Sequence, residues 1–587
     1  MRALVLALLF QTAILPPLPR WDGASRQLMV PASDPWVTPS EQSSLRETPA
    51  YDETVAYLRR LVAAAPQLRM VSLGKSPEGR DIWMVIASKE RVFTAEALKR
   101  KPILFAQGGI HAGEIDGKDA GLMLLRDMTV RGTKKELLDS VNFLFVPIFN
   151  VDGHERTSRF SRPNQRGPEV SGWRTTAQNY NLNRDYMKGD TAEMQAMLRA
   201  LRTYDPDLYL DLHVTDGADY QYDITFGFNG EGAHSPSIAS WLKTAYRPAV
   251  TNGLQQMGHI PGPLIFGIAG DDVSRGIADS PSQPRLSHGY GDARHMAAVL
   301  LENHSLKPYD QRVLGTYVFL EQSLRALAAN GDALRRATSE DRSRQATQVT
   351  STWKRPEGPT PTMEFLGIEA KPQLSGVSGD IRWEYTGRPV TLRIPYFMST
   401  QPATSVTRPA AYWVPASWPD VIAKLDLHGI RYERIAAPRE VDVEMLRLTE
   451  PKFDTQQFEG HVRVSATPVA ERRRERFPAG SVRVPTDQPL GTVAVLLLEP
   501  ASPDSLFQWG FLNAILSPTE YIEPYAIEPM AAKMLADDPK LAEEFRQKLA
   551  SDEAFRSSAT ARLRWFYEKT PYFDQRARLY PVGREVR

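Results

Sequence analysis

From Tyr51 to about Leu320 the chain alternates between short apolar runs and stretches whose apolar residues recur at helical spacing. "YDETVAYLRRLVAAAP", "DGKDAGLMLLRDM", "TAEMQAMLRALRTY" and "RVLGTYVFLEQSLRALAAN" carry the helical period. "RDIWMVIAS", "KPILFAQGGI", "VNFLFVPIFN", "LYLDLH" and "HMAAVLLE" predict strands, and the nearly continuous apolar ones predict burial on both faces. Strands alternating with helices predict an α/β domain on a mixed, largely parallel sheet flanked by helices, placed at residues 35–335.

Past that point the chain turns polar, and residues 336–361 predict a linker. Residues 362–587 predict a second, α+β accessory region. Within it "AAYWVPASWPDVIAKLDLHGIRYERI" reads as strand, helix, strand, and "GTVAVLLLEP" as a strand. The end, from about Pro529, reads as helical and charged, and "AERRRERF" as a solvated hairpin or loop face. At the start, Arg2 precedes an apolar run from Ala3 to Leu15, and prolines follow. A spanning helix needs about 20 apolar residues, so this run predicts a signal peptide over residues 1–24 and a secreted or periplasmic protein.

Composition narrows the chemistry. A net charge of +1 provides no general attraction to nucleic acid or to a membrane surface. The absence of cysteine removes disulfides, thiolate nucleophiles, Cys-bound zinc and a cysteine-linked lipid anchor. A metal would have to be held by His, Asp or Glu, and only ten histidines are available.

In parallel sheets, sites form at the carboxyl ends of strands. The strand "ILFAQGGI" ends just before His111, and Glu114 follows in a glycine-rich turn. Alone this spacing is weak, since a loop histidine beside a helix-start glutamate arises often by chance. His213, directly after "LYLDL", reaches the same rim. Two histidines and a glutamate are a zinc ligand set that leaves a fourth position open for water, as catalytic zinc sites do. "MAAVLLENHS" brings Glu302 to another strand end. A carboxylate there is costly unless used or paired. It is either a general base or the partner of an arginine such as Arg294 or Arg312. "GWRTTAQNYNLNRDY" places Arg174, Asn183 and Arg184 in one segment able to bind carboxylate or a developing oxyanion. His154, after the "NVDG" turn, could be proposed as a further ligand, His428 reads as a helix-end packing residue, and Tyr220, Tyr222, Phe226 and Phe228 as either a substrate wall or strand packing.

Taken together, "SPEGRDIWMVIAS", "GGIHAGE", "VPIFNVDGHERTSR", "GWR", "NLNRD", "DLHVTDG" and "LLENHS" resemble, in order, the motifs of the zinc carboxypeptidase family. The resemblance covers about Tyr51 to Leu320. It implies one zinc ion per chain, bound by His111, Glu114 and His213, with Glu302 as the general base that activates a zinc-bound water. It implies that Arg174 holds the oxyanion, that Asn183 and Arg184 bind the terminal carboxylate of a peptide, and that Tyr290 is a counterpart of the family's substrate-closing tyrosine. Asn181 stands where the family commonly has an aspartate supporting a zinc histidine. The function implied is a metallocarboxypeptidase without nucleic-acid or membrane partners. The alternatives are a zinc amidase acting on peptidoglycan stem peptides or N-acyl amino acids, and a binding protein with a degenerate site.

Overall fold

The computed structural model describes residues 15–270 and 272–586. The predicted signal segment lies largely in residues 1–14, outside the described residues. From Trp21 on, the chain is docked on the body. The indole N–H of Trp21 donates to Gly258 O (2.9 Å), and Ser25 Oγ lies 2.8 Å from His259 Nε2. No described helix is long and apolar enough to cross a membrane.

The main sheet has eight strands: β1 (Leu68–Lys75), β2 (Asp81–Ala87), β3 (Ile103–Gly108), β4 (Asn142–Val146), β5 (Leu208–Thr215), β6 (Ile224–Gly227), β7 (Pro261–Gly262) and β8 (Ala297–His304). Their spatial order is β1-β2-β4-β3-β5-β8-β6-β7. The centre, β4-β3-β5-β8, is parallel, and antiparallel pairing is confined to β1 with β2, β2 with β4, and β8 with β6. The fold is therefore α/β with a mixed, largely parallel sheet, as the pattern predicts.

Side chains alternate across the sheet, and each face has its own core. On one face Leu104, Ala106, Leu208 and Leu210 pack with α1 (Tyr51–Ala64), α2 (Asp116–Met128) and a 35-residue helix, which becomes α5 (Tyr309–Ser343) once α3 (Ala192–Tyr204) and α4 (Ser287–Ala293) are counted. On the other face Phe105 and Tyr209 join α3 in a cluster that runs on without a break into C-terminal residues such as Tyr412, Val495 and Phe507. The C-terminal region thus closes one face of the main sheet.

That region is α+β. It holds a long hairpin, β9 (Thr362–Leu374) with β10 (Ile381–Met398), and a six-stranded sheet in which β11 (Arg439–Phe453) pairs with β12 (Val464–Phe477). The arginine run lies on β12, where Arg474 pairs with Glu440, so a solvated hairpin face is correct. Helix α6 (Pro419–His428) follows the strand Ala411–Val414 as expected.

Two expectations fail. Residues 336–361 are not a free linker, because α5 continues to Ser343 and Gln348–Lys354 is a strand paired with Gln401–Thr407. "GTVAVLLLEP" is a helix, Gly491–Leu498, not a strand. All its residues are buried, so no face is polar and the helical period is invisible in the sequence.

Candidate metal and catalytic site

The site forms where β3, β5 and β8 end. Beyond β3 the chain turns through Gly109, whose φ of +65° favours glycine. The turn closes with Glu114 N–H donating to His111 O at 2.9 Å, just before α2 begins. Gly113 lies between the two side chains because there is no room for more. A Cβ there would meet Gly172 O and Arg162 Cγ, both at 2.7 Å.

β5 and β8 run parallel with Glu302 opposite His213, so both side chains emerge on one face of the sheet. His111, Glu114 and His213 offer ligand atoms within 4.8 Å of one another. Glu114 Oε2 lies 3.1 Å from His111 Nδ1 and 3.0 Å from His213 Nδ1. The outward nitrogens are occupied by acceptors. His111 Nε2 lies 3.0 Å from Asn181 Oδ1, and His213 Nε2 lies 2.8 Å from Asp211 Oδ2. Such partners favour the hydrogen on Nε2, which would leave the Nδ1 lone pairs to a metal in place of the present contacts with Glu114. The donor set of two imidazoles and one carboxylate, all buried, fits zinc.

The charges are strongly coupled. Burial lowers His111 to about 4 against the pull of Glu114. Burial also opposes protonation of His213, but the carboxylate of Asp211 outweighs it and holds His213 well above the usual histidine range. Burial, reinforced by the charges of Glu114 and Asp211, pushes Glu302 up to about 8. Its Oε2 is buried and has no hydrogen-bond partner among the described residues. The arginine pairing considered for Glu302 does not form: Arg312 binds Asp116 (3.0 Å), and Arg294 lies 4.0 Å from Asp205.

Arg174 Nη1 donates to Glu114 Oε1 at 2.9 Å, with its side chain 40% exposed. Asn183 Nδ2 lies 3.3 Å from His213 Nε2, and its Oδ1 accepts Ser287 N–H. Arg184 donates to Asn183 O at 2.7 Å, and burial together with the nearby Arg174 lowers its pKa. The structure thus gathers His111, Glu114, His213, Glu302, Arg174, Asn183 and Arg184. It does not gather Tyr290. That ring is buried on α4 against Tyr186, and its hydroxyl lies 2.8 Å from His428 Nδ1. His428 in turn reaches Met187 O, and His154 lies against Lys118 and Glu155, so both are packing residues. Tyr220, Tyr222 and Phe226 are buried, with Tyr220 stacked on His304 at 4.0 Å.

Two residues of the site escape a sequence reading. Asp211 precedes His213 by two positions on a strand, so the two share a face, a signal present in "DLH". Arg162 lies in an irregular loop with no periodic signal. Its Nη1 is 3.2 Å from Glu114 Oε1, and its Nη2 reaches Asp216.

The family model described as zinc carboxypeptidase matches residues 54–258. Carboxypeptidase 2 of Trichophyton tonsurans is 23% identical over 507 residues, covering 82% of this chain and 87% of its own. Carboxypeptidase 2 of Trichophyton rubrum is 24% identical over 491 residues, covering 79% of this chain and 84% of its own. Among solved structures, carboxypeptidase A of Helicoverpa armigera aligns with a TM-score of 0.37 at 19% identity, over 49% of this chain and 75% of that one. Residues 54–258 thus match the zinc carboxypeptidase family, and about four fifths of the chain is similar to carboxypeptidases.

Proposed function

We propose that the protein is an exported, zinc-dependent carboxypeptidase that removes residues from the C-terminal end of peptides. The observation that carries this reading is the convergence of His111 Nδ1, Glu114 Oε2 and His213 Nδ1 beside the unpartnered carboxylate of Glu302. A zinc ion held there would polarise the scissile carbonyl and acidify water. Glu302 is placed to take a proton from water at the site and to return it to the leaving amine. Arg174, half exposed on the rim, supplies a guanidinium to the oxyanion. Asn183 and Arg184 bind the substrate's free carboxylate, with Arg184 as the charged partner.

Glu302→Gln keeps the size of the side chain and removes its basicity. The variant is expected to retain about one zinc per chain by metal analysis and to lose peptide hydrolysis by at least about 100-fold. Hydrolysis near the parent rate would remove Glu302 from its role, and a parent that binds no zinc would remove the whole reading.

A further inference from the structure

The segment 179–190 carries Asn181, Asn183 and Arg184, and the C-terminal region grips it from outside. His461 Nε2 lies 2.7 Å from Asp190 Oδ2, and Lys424 Nζ lies 3.0 Å from Asp190 Oδ1. One further grip acts on the site itself. Glu459, in the connection between β11 and β12, accepts the Asn181 N–H at 2.8 Å. Asn181 Oδ1 accepts the Asn183 N–H at 3.0 Å and lies 3.0 Å from His111 Nε2. One asparagine therefore links a C-terminal carboxylate to a proposed zinc ligand.

The backbone of this connection is bent to make the contact. Glu459 has a φ of +51°, and a β-carbon on Gly460 would meet the Tyr180 ring at 2.6 Å. A non-glycine residue held in the left-handed region at a functional site is strain that the surroundings maintain. The charge of Glu459 also reaches Arg184. The alignment with Carboxypeptidase 2 of Trichophyton tonsurans covers 82% of this chain, more than residues 1–361 can supply, so the similarity extends into the region that carries Glu459.

We propose that Glu459 is a positioning residue of the metal site: the C-terminal region holds Asn181 through this carboxylate, and holds His111 through Asn181. The inference rests on the zinc reading above. An alternative role, anchoring the hairpin tip alone, predicts a change in stability and none in metal affinity.

The test is zinc affinity of the full chain by chelator competition, alongside thermal unfolding. Direct partners of metal-ligating histidines are worth roughly 10–100-fold in affinity, and Glu459 acts one residue further out, so Glu459→Ala is expected to weaken zinc binding about fivefold. Glu459→Gln keeps an acceptor oxygen and is expected to stay within about twofold of the parent. His461→Gln removes the neighbouring grip on Asp190 and is expected to lower the melting temperature with zinc affinity unchanged. Should Glu459→Ala not fold, Glu459→Asp, which withdraws the carboxylate by one methylene, is expected to weaken zinc binding in the same direction. Parental affinity in Glu459→Ala, or in Glu459→Asp where that variant stands in, overturns the proposal. So does an equal loss in His461→Gln. A parent without zinc overturns the functional reading and this one together, whereas a zinc-binding parent beside an unchanged Glu459→Ala overturns this one alone.

Discussion

At the scale of the residue, burial sets the character of the acidic groups. Glu193, in the first turn of α3, is fully buried. Burial, with the charges of Asp152 and Asp185 adding to it, pushes its carboxyl up from 4.5 to about 7. The folded chain therefore holds a proton there that the unfolded chain releases. The resulting stability is fully present below pH 4.5 and is lost as pH rises towards 7. Glu193→Gln does not titrate, so its stability relative to the parent is expected to rise by about 3 kcal/mol between pH 4.5 and about pH 8. Denaturant unfolding at the two pH values measures this, and an equal gap at both would refute it. His111, Glu114, His213 and Glu302 sit at ends of apolar runs, where a polar residue stands out. Tyr290 was misplaced because proximity in sequence to the site says nothing of which way a short helix turns its ring. Arg162 was invisible because an irregular loop has no period to read.

At the scale of the element, close packing governs. α2 lies on the sheet so tightly that a Cβ at Gly121 would fall 2.1 Å from Phe145 Cζ. Gly121→Ala would gain helix propensity yet force the ring or the helix to move. Overpacking of this kind costs typically about 1–3 kcal/mol, so a lower denaturation midpoint is expected. An unchanged or raised midpoint would mean that Phe145 yields freely. Strands and helices with a polar side were readable, because the period of their apolar residues was visible. The helix Gly491–Leu498 was not, since complete burial erases the alternation that tells helix from strand. The end of α5 was missed because its last turns are polar and look like a linker.

At the scale of the whole molecule, the eight-stranded sheet and the C-terminal region share one hydrophobic cluster. A ligand bound only by the folded chain stabilises it, by about 2.7 kcal/mol at a hundredfold excess over its dissociation constant. Zinc is accordingly expected to raise the unfolding temperature of chelator-treated protein, and magnesium, which prefers oxygen ligands, is not. Scanning calorimetry with each ion checks this, and equal effects would count against the imidazole-rich set. The shift in pattern past residue 335 predicts two regions. Their shared core was not legible, because no period links residues so far apart. The ladder between β5 and β8 sets Glu302 opposite His213. Like meshed gears, two strands can slip only by whole teeth, and deleting one residue within β8 ahead of Glu302 would swing the carboxylate to the far side of the sheet. New specificities must therefore be engineered in the surrounding loops, because the spacing at the centre admits no gradual adjustment.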